Sequence, residues 1–382
     1  MALMSELGFG MMRLPVKNGD PTDFDYDQLN KMVDTFLEAG FTYFDTSYVY
    51  HNGKSEEATR KALVERHPRD CFTVATKFPS FILKAEEEIE PIFASQLERL
   101  GVDYIDYYLL HNLQTVNYDG IDGTGGPVKT CRLFEHAAQW KAEGKIRHLG
   151  FSHHSSAALL DRILTEHPEV EFVQIALNYI DWESEFVQAK ACYEVIRKHG
   201  KQVVIMEPVK GGGLARVPES VEKALKAMDP NASAASWALR FAGSLEGAVC
   251  TLSGMSTLEQ VRDNIQTVKA LSPLTEDEKL KLHEIVKLYK DAGPVGADLS
   301  RYAGLTLHGV PVTAILEAYN ICQLQPDPGF SDDNNYLKNI MAEQAHLDCF
   351  GELPEEKVVL ADGTDVTEEV LKAERWLIQH SF

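Results

Sequence analysis

Positive charge is scarce in this chain. Its 382 residues hold 37 Lys and Arg against 58 Asp and Glu, a formal net charge of -21 at pH 7. Such a surface repels phosphate backbones and anionic bilayers, which argues against nucleic acid and membrane as partners. Paired cysteine is missing too. Six cysteines, at 71, 131, 192, 250, 322 and 349, are scattered with no C-x-x-C among them. That pattern fits a reducing compartment better than a disulfide framework. The first residues do not form a basic, apolar leader, and no apolar run is long enough to span a bilayer. The expectation is a cytoplasmic protein. Internal repeats and low-complexity segments are absent, and no G-x-G-x-x-G follows any strand-like run. The last absence weakens the case for an open, doubly wound dinucleotide fold.

What is present is alternation. Apolar residues make up 44% of the chain, enough for a sizeable core. Eight strand-like runs, at 6–11, 41–45, 72–77, 104–111, 148–152, 172–178, 203–207 and 248–254, are separated by helical patterns. Leu29, Met32, Val33, Phe36 and Leu37 mark one such core-facing stripe, with Gly40 as its stop. Strand–helix alternation implies a parallel sheet, and eight units imply closure into a (β/α)8 TIM barrel of ~250 residues. The expected division is a barrel over 1–272 and a mostly helical extension over 273–382.

Polar groups stand where these strands end. Asp45 closes the second run, Lys77 the third and His111 the fourth, while Tyr50 lies in the loop after Asp45. Chemistry in parallel barrels sits at the carboxyl-terminal rim, so the four converge on one face. The set resembles the catalytic tetrad of the aldo/keto reductases. The string D-T-S-x-x-Y-x-x-G-x-S-E, from Asp45 to Glu56, carries the most specific part of that resemblance. Within it Ser55 is the expected N-cap of the next helix. The resemblance implies a hydride transfer between NADP or NAD and a small-molecule carbonyl or alcohol (aldehyde, ketone or sugar). Tyr50 would be the general acid/base, tuned by Lys77 and Asp45, and His111 would be a second donor to the substrate oxygen.

It also implies coenzyme contacts. Gly10, Met11 and Met12 end the opening strand beside the nicotinamide ribose, near Asp45. Ser152, His153 and Gln174 match the clamp on the nicotinamide carboxamide, with His153 standing where Asn is usual. Met206 replaces a stacking aromatic, and Pro208, Val209, Gly211 and Gly212 match the loop along the pyrophosphate. Gly254, Ser256, Gln260, Asp263 and Asn264 match the adenosine end, and a plain helix cap at Ser256 or Thr257 would read the same way. Gln260 stands where phosphate-selective members tend to carry a basic residue, so the expectation is poor discrimination between the coenzymes or a lean toward NAD.

The extension resembles the ferredoxin-like tail of one branch of that family. Ala297, Ser300, Ala303 and Thr306 occupy the places of its cluster cysteines, so no 4Fe-4S cluster and no other metal is expected. The alternative to an oxidoreductase is a non-catalytic, coenzyme-sensing barrel, and the intact tetrad argues against it. An isomerase or lyase on a phosphorylated substrate would need phosphate sites but no tetrad.

Overall fold

The computed structural model describes residues 5–120, 123–270, 272–325 and 349–380. Its strands are β1 Glu6–Gly10, β2 Tyr43–Asp45, β3 Thr73–Phe78, β4 Ile105–Leu113, β5 Ile146–His153, β6 Phe172–Ala176, β7 Gln202–Met206 and β8 Ala248–Gly254. They pair in chain order, all parallel, and close into a barrel where β8 meets β1. The barrel expected from the alternation is present, with extra helices beyond it.

Two apolar layers hold it together. Tyr43, Ala75, Leu109, Phe172, Val204, Cys250 and Leu252 form a small cluster made only by strands, the barrel interior. A much larger core joins the strands to the helices outside. Gly8 makes the interior possible, because a Cβ there would lie 2.5 Å from Cys250 Sγ and from Leu252 Cδ2. In the first helix, Tyr26–Glu38, the side chains of Leu29, Met32, Val33 and Phe36 are fully buried. Each stabilises the fold by about 1.5–3 kcal/mol relative to exposure. Asp25 caps its start by accepting from Gln28 N, and Gly40, at φ 90°, turns the chain out of it.

The expected cap at Ser55 is not there. The helix Ser55–Thr59 starts with no side-chain cap, and the buried Ser55 hydroxyl donates to Met11 O at 3.0 Å and accepts from Thr46 Oγ1 at 2.8 Å. A buried hydroxyl is held more firmly by two fixed partners than by a helix end, so it stitches the β1 turn to the end of β2. β4 runs on to Leu113, and short helices follow at Thr115–Tyr118 and Pro127–Thr130. A reciprocal cap between Gln114 and Asn117 sets the first of them.

Past the barrel, Glu276–Asp291 begins with a capping box between Thr275 and Glu278. A hairpin of Thr306–Leu307 and Val310–Pro311 leads into helix Val312–Gln323, and Thr367–Gln379 follows. Leu282, Tyr289, Tyr302, Ile315 and Leu371 belong to the same outer core as the barrel helices. The acidic stretch 327–333 lies outside the described residues. Among the described residues no helix is long and apolar enough to cross a membrane.

Candidate active site

The carboxyl ends of β2, β3 and β4 bring Asp45, Lys77 and His111 together, and the loop after β2 adds Tyr50. Lys77 is fully buried. Its Nζ donates to Asp45 Oδ1 at 2.6 Å and to Thr46 O at 2.8 Å. The ammonium also lies 4.8 Å from the Tyr50 ring centroid. Burial works against this cation, but Asp45 and Tyr50 more than offset it, and the Lys77 pKa stands above its ordinary value. Burial likewise pushes the Asp45 carboxyl up, against the pull of Lys77. At 2.6 Å, with the ammonium favoured, the pair is ionic. Asp45 Oδ2 is buried with no hydrogen-bond partner.

His111 faces the same point. Its ring meets that of Tyr50 edge to face, with centroids 5.9 Å apart, and that of Phe81 at 5.5 Å. Nδ1 lies 3.1 Å from Ser47 Oγ. Burial first, then the charges of Lys77 and His154, hold the imidazole well below its ordinary pKa, so it is neutral. Backbone irregularity clusters here. β4 changes register between Leu110 and Leu113, with Asn112 at φ 57°, and His51 and Asn52 directly after Tyr50 are both at φ 53°. Left-handed non-glycine residues in succession are a costly way to turn a chain, and they collect where a side chain must be aimed.

A second shell of polar groups fixes these strand ends from behind. Glu56 is fully buried; it accepts from Thr76 Oγ1 at 2.7 Å and from Gln96 Nε2 at 2.8 Å, and Arg99 lies 3.4 Å away. Gln96 also donates to Lys77 O at 3.1 Å, while Arg99 stacks on the Tyr48 ring, 4.1 Å from its centroid. The peptide of Lys77 and the loop leading to Tyr50 are therefore tied to one hub.

The sequence profile of the aldo/keto reductase family matches residues 6–287. The chain belongs to the aldo/keto reductase family. Its class is accordingly that of the NAD(P)-dependent oxidoreductases. It is 26% identical over 320 residues to an uncharacterized oxidoreductase, YqkF, of Bacillus subtilis, covering 75% of this chain and 95% of that one. It is 26% identical over 235 residues to the NADH-specific methylglyoxal reductase of Escherichia coli, covering 55% of this chain and 65% of that enzyme. Among solved structures, the holo form of aldo-keto reductase AKR11C1 from Bacillus halodurans superimposes with a TM-score of 0.58 at 25% identity, covering 74% of this chain and 92% of that one.

Of the remaining residues singled out by the aldo/keto reductase resemblance, Gly10, Ser152, His153, Met206 and Gly254 lie at the carboxyl ends of barrel strands. Ser152 and Gln174 are register partners on β5 and β6. Ser152 Oγ accepts from Asn112 N at 2.7 Å; Gln174 Nε2 donates to Met206 Sδ at 3.5 Å, and Gln174 Oε1 is buried without a partner. His153 closes β5, with Nε2 2.9 Å from Ser156 O. Its neighbour His154, not singled out from the sequence, lies within electrostatic reach of His111 and Lys77. Burial, then His153 and Lys77, hold it down to about 3.

Gly10 ends β1 beside Gly254, and Met11 and Met12 follow, the first buried and the second exposed. After β7, Pro208 and Val209 lead to Lys210, Gly211 and Gly212, all three at positive φ. Ser256 Oγ donates to Arg13 O at 2.8 Å, and Gln260 Oε1 accepts from Ser256 N at 2.7 Å. Thr257, not Ser256, caps the helix Leu258–Lys269. Asn264 ties that helix to β8 through Ser253 Oγ at 2.8 Å, whereas Asp263 turns to Ser233 at 2.8 Å. Glu56, Gln96 and Arg99 were not identifiable as a hub, because their spacing in the chain is that of ordinary helix residues.

Proposed function

We propose that this aldo/keto reductase transfers hydride between a nicotinamide dinucleotide and a small carbonyl or alcohol, with Tyr50 as the proton donor and acceptor. The observation that carries the proposal is the buried Lys77 ammonium, bonded to Asp45 Oδ1 at 2.6 Å and lying 4.8 Å from the Tyr50 ring centroid. The fit to the coenzyme is supported by two buried acceptors without partners, Asp45 Oδ2 and Gln174 Oε1, on the rim where a ribose hydroxyl and a carboxamide need such groups. Gly212 supports it too, since a Cβ there would project into open space. When bound, the nicotinamide supplies or accepts the hydride.

The chain's own residues do the rest. Tyr50 gives its proton to the oxygen that gains charge during reduction, and takes one from the alcohol in the reverse direction. An ammonium beside the phenol eases loss of that proton, and Asp45 holds the ammonium in place. In this reading the neutral His111 accepts at Nδ1 from the Ser47 hydroxyl 3.1 Å away, and its hydrogen on Nε2 serves the same substrate oxygen. Gly10, Met11, Met12, Ser152, His153, Gln174, Met206, Pro208, Val209, Gly211, Gly212, Gly254, Ser256, Gln260, Asp263 and Asn264 complete the coenzyme-binding rim in this reading. Gln260 is uncharged and the relative from Escherichia coli is named as NADH-specific, which favours NAD over NADP.

Residues 273–382 are in this reading a helical extension of the ferredoxin-like-tail branch that has lost its cluster. Ala297 and Ala303 have no ligand atom, and Ser300 and Thr306 offer hydroxyls where thiolates are needed. The test of the function is a fluorescence titration of the protein's four tryptophans with NADH and NADPH, followed by turnover of aldehydes, ketones and sugars. Saturable binding and turnover of at least one carbonyl class is expected. Binding without turnover on any of them would instead favour the coenzyme-sensing barrel.

A further inference from the structure

Asp45, Lys77 and His111 lie in strands whose ladders place them, whereas Tyr50 opens the short irregular turn Tyr50–Gly53 and has no ladder. The two residues after it, His51 and Asn52, stand at φ 53° with ψ 49° and 38°. That is the left-handed region, and neither is glycine. Such a pair persists only where its surroundings over-determine it. Here they act on the His51 imidazole. Nδ1 lies 2.9 Å from Pro21 O, and Nε2 accepts from Leu14 N at 3.2 Å. The ring meets that of the buried Phe24 edge to face, with centroids 5.0 Å apart. All three partners belong to the segment after β1, which doubles back through a bridge between Val16 and Phe24. That segment is itself bonded to its neighbours, since Ser55 Oγ donates to Met11 O at 3.0 Å and Ser256 Oγ to Arg13 O at 2.8 Å. The two bonds also fix the imidazole proton. A carbonyl only accepts, so Nδ1 carries the hydrogen; a peptide N–H only donates, so Nε2 is bare. Burial favours this neutral form, holding the His51 pKa below its ordinary value against the carbonyls of Pro21, Met11 and Met12.

We propose that His51 is a positioning residue for the proton donor, its two hydrogen bonds holding the backbone turn that aims the Tyr50 hydroxyl at the substrate oxygen. This rests on the reading of Tyr50 as the acid. His51 acts through the peptide it shares with Tyr50, tying that loop residue to the segment after β1. Aim matters because a displacement of about 1 Å in a reacting group costs on the order of 100-fold in rate.

The test uses the full-length protein and its His51→Phe and His51→Asn variants, with NADH, methylglyoxal and any other carbonyl that the wild type turns over. Active sites are counted by NADH titration, so that an unfolded fraction does not enter kcat. His51→Phe keeps a ring against Phe24 and loses both hydrogen bonds. It is expected to lower kcat by about 10- to 100-fold, and the single-turnover rate of hydride transfer by the same factor. The NADH dissociation constant is expected to change less than about threefold. His51→Asn is expected to recover most of the loss, because asparagine tolerates positive φ and its amide can donate to Pro21 O. A kcat in His51→Phe within about threefold of wild type would overturn the assignment. So would equal losses in the two variants, or a fall in kcat matched by a fall in NADH affinity, the mark of a general loosening. If the wild type reduced no carbonyl, or if Tyr50→Phe were fully active, the reading of Tyr50 would itself fail. That result is distinct from an insensitive His51 in an enzyme that needs Tyr50.

Discussion

Two buried lysine–aspartate pairs sit on the same rim and are built differently. Lys210 Nζ is 2.7 Å from both oxygens of Asp181, and Asn178 Nδ2 adds a hydrogen bond to Asp181 Oδ2 at 2.7 Å. That pair is closed: its carboxylate is satisfied, and it pins the β7 loop, where Glu207, Lys210, Gly211 and Gly212 are all at positive φ. Lys77 engages one oxygen of Asp45, leaves the other buried without a partner, and has a phenol on its far side. A closed pair is scaffolding, because nothing about it improves when a ligand arrives. An open pair leaves an acceptor and a tuned hydroxyl aimed at a reagent, which is what a site needs.

The largest effect should come from exchanging the two lysines for methionine. Lys77→Met is expected to lower kcat by roughly 100- to 10,000-fold at saturating coenzyme, the range of general acid–base assistance. Lys210→Met is expected to keep kcat within about fivefold while losing about 3–5 kcal/mol of stability, since it strands a buried carboxylate. Denaturant unfolding and steady-state kinetics on both variants check this. A catalytic loss in Lys210→Met as large as that in Lys77→Met would erase the distinction.

That distinction was only half legible in the sequence. Asp45, Lys77 and His111 could be found because a strand that ends in a polar group announces itself against a background of Val, Ile and Phe. Asp181 and Lys210 could not, since they stand 29 residues apart in irregular segments whose partnership only the fold creates. Ser55 misled for a related reason: a serine at a helix start signals a cap, and a long-range partner at Met11 outcompetes it. The barrel itself was legible because strand–helix alternation is local, whereas second-shell contacts such as Glu56 to Gln96 are not.

A smaller effect concerns pH. His111 and His154 are held below the ordinary histidine value of 6.5 in the folded protein, so the unfolded chain binds more protons in acid. Their contribution to stability is complete above 6.5 and is lost as pH falls through and below it. Each imidazole steepens that loss by up to about 1.4 kcal/mol per pH unit. Denaturant midpoints measured on either side of pH 6 should show a flatter slope in His154→Asn than in wild type. An unchanged slope would contradict the neutral state of these two imidazoles.

The smallest expected effect is in coenzyme choice. With Gln260 bonded to Ser256 N and no cation supplied by its side chain, dissociation constants for NADH and NADPH should differ little or favour NADH. A strong preference for NADPH, read from their ratio, would count against that expectation.

The central claim is that the open pair serves a proton carried by Tyr50. Steady-state kinetics of Tyr50→Phe at saturating coenzyme, beside its coenzyme dissociation constant, tests it most directly. The phenol acts on the substrate oxygen in the transition state while the coenzyme is held elsewhere, so the predicted result is loss of turnover with coenzyme affinity nearly unchanged. A variant that kept more than about a tenth of wild-type kcat, a difference of only ~1.4 kcal/mol in the barrier, would show that Tyr50 is not the acid.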